Sequence, residues 1–147
     1  MMRKMRDPSF LFHITKKKSW GESRKLFPKV KGINRGHGEP EVSRTCVAPD
    51  ITRCFLAIPY YPRESFYIYR TYHKVRGYYP YDVCDSIITR EKWLTCPTTF
   101  IKVGYVSKEL LFTFPRETNC ERDRQLESLP LIRNILRNNT DIPKEYI

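Results

Sequence analysis

No two of the five cysteines, Cys46, Cys54, Cys84, Cys96 and Cys120, stand in a C-x-x-C spacing, and their number is odd. The three histidines, His13, His37 and His73, are not at zinc-finger distance from any of them. A disulfide framework and a structural zinc site are both disfavoured on those grounds, and no metal is expected. Reduced thiols suit a cytoplasmic protein. The basic N-terminus is followed by no long apolar segment before Lys16, so no secretory signal is expected. No run approaches the roughly 20 apolar residues that span a bilayer, so no membrane partner is expected. Internal repeats and a second domain are missing too.

What is present is one domain's worth of chain. The 147 residues are 40% apolar and 14% aromatic, with ten tyrosines, which suits a packed core rather than a disordered polymer. Twenty-seven basic residues against 16 acidic ones give a net charge of +11. That surplus allows an anionic partner, whether nucleic acid, a phosphorylated cofactor or an acidic protein, or it serves only solubility.

The chain is organised around Phe10-Leu11-Phe12-His13-Ile14-Thr15, which reads as a strand. Residues two apart share a strand face, so His13 and Thr15 point one way and Phe12 and Ile14 the other. His13 then edges a nucleotide-sized cleft, or else it is a half-buried histidine that satisfies a backbone group. Residues 16–45 read as a long polar connection without elements of its own, a lid or a solvated loop. Residues 42–48 form a second strand, and Pro49-Asp50 opens a helix over residues 51–58. Its Ile51, Cys54, Phe55 and Ile58 recur with helical period, and Pro59 ends it. A helix N-terminus directly after a strand offers a place for phosphate.

Ser65 to Thr71 is a strand, with Tyr67, Tyr69 and Thr71 on one face and Phe66, Ile68 and Arg70 on the other. Tyr72 to Tyr81 is an aromatic, basic loop around Gly77, either a nucleic-acid binder or a tyrosine-capped rim of the core. Ile88 to Thr95 reads as a strand with Thr89, Glu91 and Trp93 on one face. Thr99 to Val106 is the last clear strand. Leu110 to Phe114 is a short strand or apolar loop, Asn119 a helix N-cap, and Arg124 to Leu136 helical in parts, with Pro130 breaking or beginning a helix. Residues 1–9 and 138–147 read as flexible tails.

Three of these pieces together resemble a family: Phe12-His13-Ile14-Thr15; Arg44 to Ile51 with its helix; and Glu91-Lys92-Trp93 ahead of Cys96-Pro97. They are similar to the small bacterial and phage proteins with the ADP-ribosyltransferase-like fold, over roughly residues 10–106. The resemblance implies an α+β domain, a split β-sheet sandwich with few helices, using NAD as substrate. It implies that His13 and Thr15 bind the adenosine-side ribose and that Glu91 meets the nicotinamide ribose. A carboxylate there stabilises the positive charge that develops as nicotinamide leaves. Arg44, Arg53 or Arg70 would touch the pyrophosphate, and Cys46, Tyr67 and Tyr69 complete the candidate NAD-binding set. Where relatives carry an aromatic or a Ser-Thr-Ser run, this chain has Cys46-Val47-Ala48. Thr89 stands where arginine-modifying members carry a second acid, which disfavours arginine as acceptor.

Three functions follow. The first is transfer of ADP-ribose from NAD to a macromolecule, nucleic acid or acidic protein, in the cytoplasm (the host's, if phage-encoded). The second is a non-catalytic nucleotide-binding protein, for example one countering host defence. The third is a basic nucleic-acid binder. Against all three, Glu91 between Arg90 and Lys92 also fits a solvated charge, and Trp93 a core residue.

Overall fold

Phe12–Thr15 forms strand β1 in a computed structural model that describes residues 2–30, 42–58, 64–81, 86–115 and 122–147. β1 pairs with β5 (Phe66–Thr71), β5 with β7 (Thr98–Val106) and β7 with β2 (Ser23–Leu26), all antiparallel. The result is a four-stranded sheet ordered β1-β5-β7-β2. A second antiparallel sheet holds β3 (Lys29–Val30), β4 (Ser43–Val47) and β6 (Lys92–Leu94), with β4 in the middle. Four helices, α1 (Ile51–Leu56), α2 (Ser86–Thr89), α3 (Lys108–Leu111) and α4 (Arg122–Asn139), complete an α+β fold.

The larger sheet is covered on both faces. One face meets α1 and α4 through a core that includes Phe12, Ile51, Phe55, Ile68, Ile132 and Leu136. A second core draws Leu11, Leu26, Val47, Tyr69, Leu94 and Phe100 from both sheets. Neighbours along a strand point to opposite faces, and here Ile68 and Tyr69 enter different cores. The β5–β7 register shifts between them, from Ile68↔Gly104 to Tyr69↔Lys102, leaving Val103 as the extra residue.

Several elements differ from the pattern read in the sequence. Residues 16–45 hold a 3-10 turn (Lys18–Trp20), β2 and β3. β2 lies at a sheet edge with Ser23, Arg24 and Lys25 exposed, so it carries no apolar alternation, and lysine on an edge discourages further pairing. Ile88 to Thr95 is not one strand. α2 ends at Thr89, Arg90 takes a left-handed φ of 52°, and β6 begins only at Lys92. Leu110 and Leu111 belong to α3, capped by Ser107, whose hydroxyl accepts from the Leu110 amide at 3.2 Å. α4 continues through Pro130, and its apolar stripe of Leu129, Ile132 and Leu136 faces the core. α1 stops at Leu56, two residues short of the expected end.

Neither terminal segment hangs free. Ser9 and Val75 exchange backbone hydrogen bonds, and the Met5 amide donates to the Gly77 carbonyl at 2.8 Å. At the other end Ile142 and Ile147 are buried, and the Tyr146 ring lies 5.2 Å from Phe12. Three apolar side chains among polar neighbours are enough to dock the segment, and Gly104 leaves room for Ile142. The Pro59 helix stop and the Asn119 cap lie outside the described residues, as do Cys84 and Cys120. No helix among the described residues is long and apolar enough to cross a membrane.

Candidate functional site

β1 and β4 touch at one backbone bridge. The Phe12 amide donates to the Ala48 carbonyl at 2.8 Å, and the Ala48 amide returns to the Phe12 carbonyl at 3.0 Å. Beyond that bridge the strands part, β1 following β5 and β4 following β6. A side chain spans the gap: His13 Nδ1 donates to the Cys46 carbonyl at 2.8 Å. A carbonyl only accepts, so Nδ1 carries the hydrogen and Nε2 is the acceptor of the neutral ring. The Trp20 ring stacks on the imidazole at 5.7 Å, nearly parallel, and Phe100 meets it at 6.2 Å. His13 thus satisfies a backbone group and is also held in one orientation.

The parting strands open a hollow of about 380 Å³. Phe12 to Lys16 line one side, Cys46 to Ala48 another, and Cys54, Ala57 and Ile58 a third. Phe66, Thr89 and Glu91 close it. A small-molecule site commonly measures ~300–1,000 Å³, mostly apolar with a few placed polar groups. His13, Thr15, Cys46 and Glu91 all line this one hollow.

Glu91 is positioned by its own segment. Its amide donates to Thr89 Oγ1 at 3.4 Å, and Oε2 accepts from Trp93 Nε1 at 2.7 Å. Trp93 is fully buried and carries the Arg44 guanidinium 4.1 Å above its ring. The carboxylate therefore rests on a rigid aromatic base. Neighbouring Lys92 donates from Nζ to the Arg90 carbonyl at 2.7 Å and lies 4.8 Å from the Tyr79 ring. Burial, and then the charges of Arg90 and Arg53, lower its pKa.

Other expected residues lie elsewhere. Arg53 pairs with Asp50, and its Nε donates to the Ile88 carbonyl at 3.3 Å. Asp50 also caps α1, accepting from the Arg53 amide at 2.8 Å, with Arg133 3.8 Å away. The helix end read as a phosphate site is thus occupied by the chain's own carboxylate, on a helix of only six residues. Tyr67 packs on Tyr105, and buried Tyr69 donates its hydroxyl hydrogen to the Gly21 carbonyl. Arg70 donates to the Tyr146 hydroxyl at 2.8 Å and covers Phe10. None of these four lines the hollow. Arg44 lines a neighbouring trough instead. In the 72–81 loop, Tyr78 and Tyr79 already face Lys4 and Arg3.

Residues not singled out in the sequence also contribute. Trp20 steadies His13, and Lys16, Phe66 and Cys54 line the hollow. A lone tryptophan within a lysine-rich run was the available signal, because so large a ring seldom stays wholly exposed. Burial pushes the Cys54 thiol well above its ordinary value, with the Asp50 charge adding to the effect, so it is no thiolate nucleophile. Cys46, Cys54 and Cys96 are unbridged, and no group of three or more potential ligands among the described residues could hold a metal. No family model, no curated protein and no solved structure matches the chain.

Proposed function

We propose that this protein binds NAD in the hollow between β1 and β4 and transfers ADP-ribose to a macromolecular acceptor. The observation that carries the reading is that His13 and Glu91, some eighty residues apart, line one cavity. The split between two antiparallel sheets at that point supports the ADP-ribosyltransferase-like resemblance.

In the proposed reaction the bond between ribose C1′ and the nicotinamide nitrogen breaks. Its electron pair leaves with nicotinamide, which becomes neutral, and positive charge develops on the ribose. The Glu91 carboxylate stabilises that charge. The acceptor's nucleophile then forms a bond to C1′ and gives up its proton to Glu91 or to solvent. His13 binds and positions the dinucleotide, with Thr15 and Cys46 alongside. Lys16, on the same wall, offers positive charge to the pyrophosphate.

Incubation with NAD labelled in the nicotinamide ring and, separately, in the adenine tests this. Wild type is expected to release nicotinamide and to label an acceptor. Glu91→Gln is expected to lower release by about 10²–10³-fold, the usual loss when one charge-stabilising group is removed. Absence of release, or release unchanged in Glu91→Gln, overturns the reading.

A second reading, nucleotide capture without turnover, is favoured by one observation. Glu91 is already engaged by the Trp93 indole, an arrangement that suits a scaffolding role. It predicts a calorimetric signal with NAD or ADP-ribose and no nicotinamide.

A further inference from the structure

A second depression of about 450 Å³ lies beside the hollow, and His13 and Thr15 line both. Its remaining walls come from the Lys17–Val30 region and from Arg44 and Thr45 of β4. Lys17, Arg24, Lys25, Lys29 and Arg44 line it, with no acidic residue among the lining. Two aromatic rings belong to the same wall. Trp20 is held between His13, Tyr69 and Arg24, the guanidinium lying 5.1 Å from the indole. Phe27 is 60% exposed, with the Lys25 ammonium 6.0 Å from its ring.

A trough of one charge sign concentrates polyanions. Exposed rings within it select among them, because every nucleobase has a face that stacks. A duplex keeps its bases stacked on one another and offers a wall of this kind only phosphates. An acidic peptide offers carboxylates and no bases. Phe27 presents such a ring at the surface of the trough, 60% exposed beside Lys25.

We infer that this trough binds single-stranded nucleic acid, phosphates against Lys17, Arg24, Lys25 and Lys29 and a base on Phe27. Because it opens beside His13, the strand in it is the acceptor for the hollow, a role that rests on the NAD reading proposed above. Strand binding itself does not depend on that reading.

The test is fluorescence anisotropy with labelled oligo-dT and oligo-rU of roughly 12 nucleotides, within the usual single-strand site sizes. A duplex of equal length and poly-glutamate serve as competitors, and nicotinamide release is measured in parallel. The expected result is single-strand binding that weakens steeply with salt. Lys25→Glu/Lys29→Glu is expected to lower affinity at least tenfold and to reduce the slope of log K against log salt by about 1.4, because two phosphates keep their counterions. Phe27→Ala is expected to cost about tenfold at unchanged slope. All three residues are exposed, so circular dichroism should show intact folds. Basal nicotinamide release is expected to match wild type in these variants. The two arms distinguish RNA from DNA as the preferred strand.

Equal binding of duplex, displacement by poly-glutamate at equal charge, or indifference to both variants overturns the assignment. So does displacement of the strand by ADP at concentrations that saturate the hollow, which would make the trough part of the dinucleotide site. Strand binding without nicotinamide release leaves the trough standing and removes the NAD reading. The reverse pattern removes the trough alone.

Discussion

Glu91 and Cys54 illustrate how single side chains in the hollow divide their work between folding and chemistry. Glu91 holds the buried Trp93 indole at 2.7 Å. Glu91→Ala removes that acceptor and is expected to lower unfolding stability by about 1–3 kcal/mol in urea titrations. Glu91→Gln keeps an acceptor oxygen and is expected to stay within about 1 kcal/mol of wild type while still losing the nicotinamide release proposed above. Equal destabilisation by both would detach the carboxylate from Trp93. For Cys54, burial raises the thiol's pKa in the folded state far above its ordinary 9.0. The unfolded chain then sheds this proton at a pH where the folded chain keeps it. The contribution is fully present below 9.0 and is lost as pH rises from there toward the folded pKa. Urea unfolding between pH 8 and 10.5 should show a declining stability that is shallower in Cys54→Ala. An identical decline in the variant would assign it to other groups. His13 stands out in the sequence as an imidazole in an apolar strand, whereas Glu91, flanked by Arg90 and Lys92, reads as a solvated charge and is singled out only through the family resemblance. The Trp93 bond was legible only as a shared strand face, and the left-handed Arg90 that places Glu91 was not legible at all.

Strands and helices were read best where one face is buried and a breaker marks the end. β4 and α1 announce themselves through Cys46-Val47-Ala48, Pro49 and the Asp50 cap. β5 does so through its aromatic run. β2 and β3 escaped notice because exposed edge strands need no apolar period. α3, a single turn, is too short for helical periodicity to appear. β7 contains a position where size matters more than sequence pattern suggests. A Cβ on Gly104 would lie 2.9 Å from Ile142 Cγ1, against a side chain wedged between that strand and the C-terminal turn. Gly104→Ala is expected to destabilise by about 1–3 kcal/mol through overpacking. Gly104→Ala combined with Ile142→Ala, which removes both Cγ1 and Cδ1, should lose less stability than the sum of the two single variants. Additive losses would place the strain elsewhere in the strand.

For the molecule as a whole, the terminal segments read as flexible tails pack against the fold. Tyr146 leans on Phe12, the residue that bridges β1 to β4, and accepts a hydrogen bond from Arg70 of β5. Tyr146→Ala is therefore expected to cost about 1–3 kcal/mol and, on the function proposed above, also to weaken NAD binding, by loosening the strand that carries His13. Tyr146→Phe should keep the binding and lose only the hydrogen bond. Thermal melts with calorimetry read both, and a stability loss with unaltered binding would separate the turn from the hollow. The charge surplus was visible in composition, but its concentration beside His13 depends on β2 and β3 folding back, which composition does not encode. The joint between the sheets has one more property. Part of its tie is a side chain rather than a ladder of amides, so a substitution at His13 that removes the Nδ1 donor would loosen the seam between the sheets as well as alter the wall of the hollow.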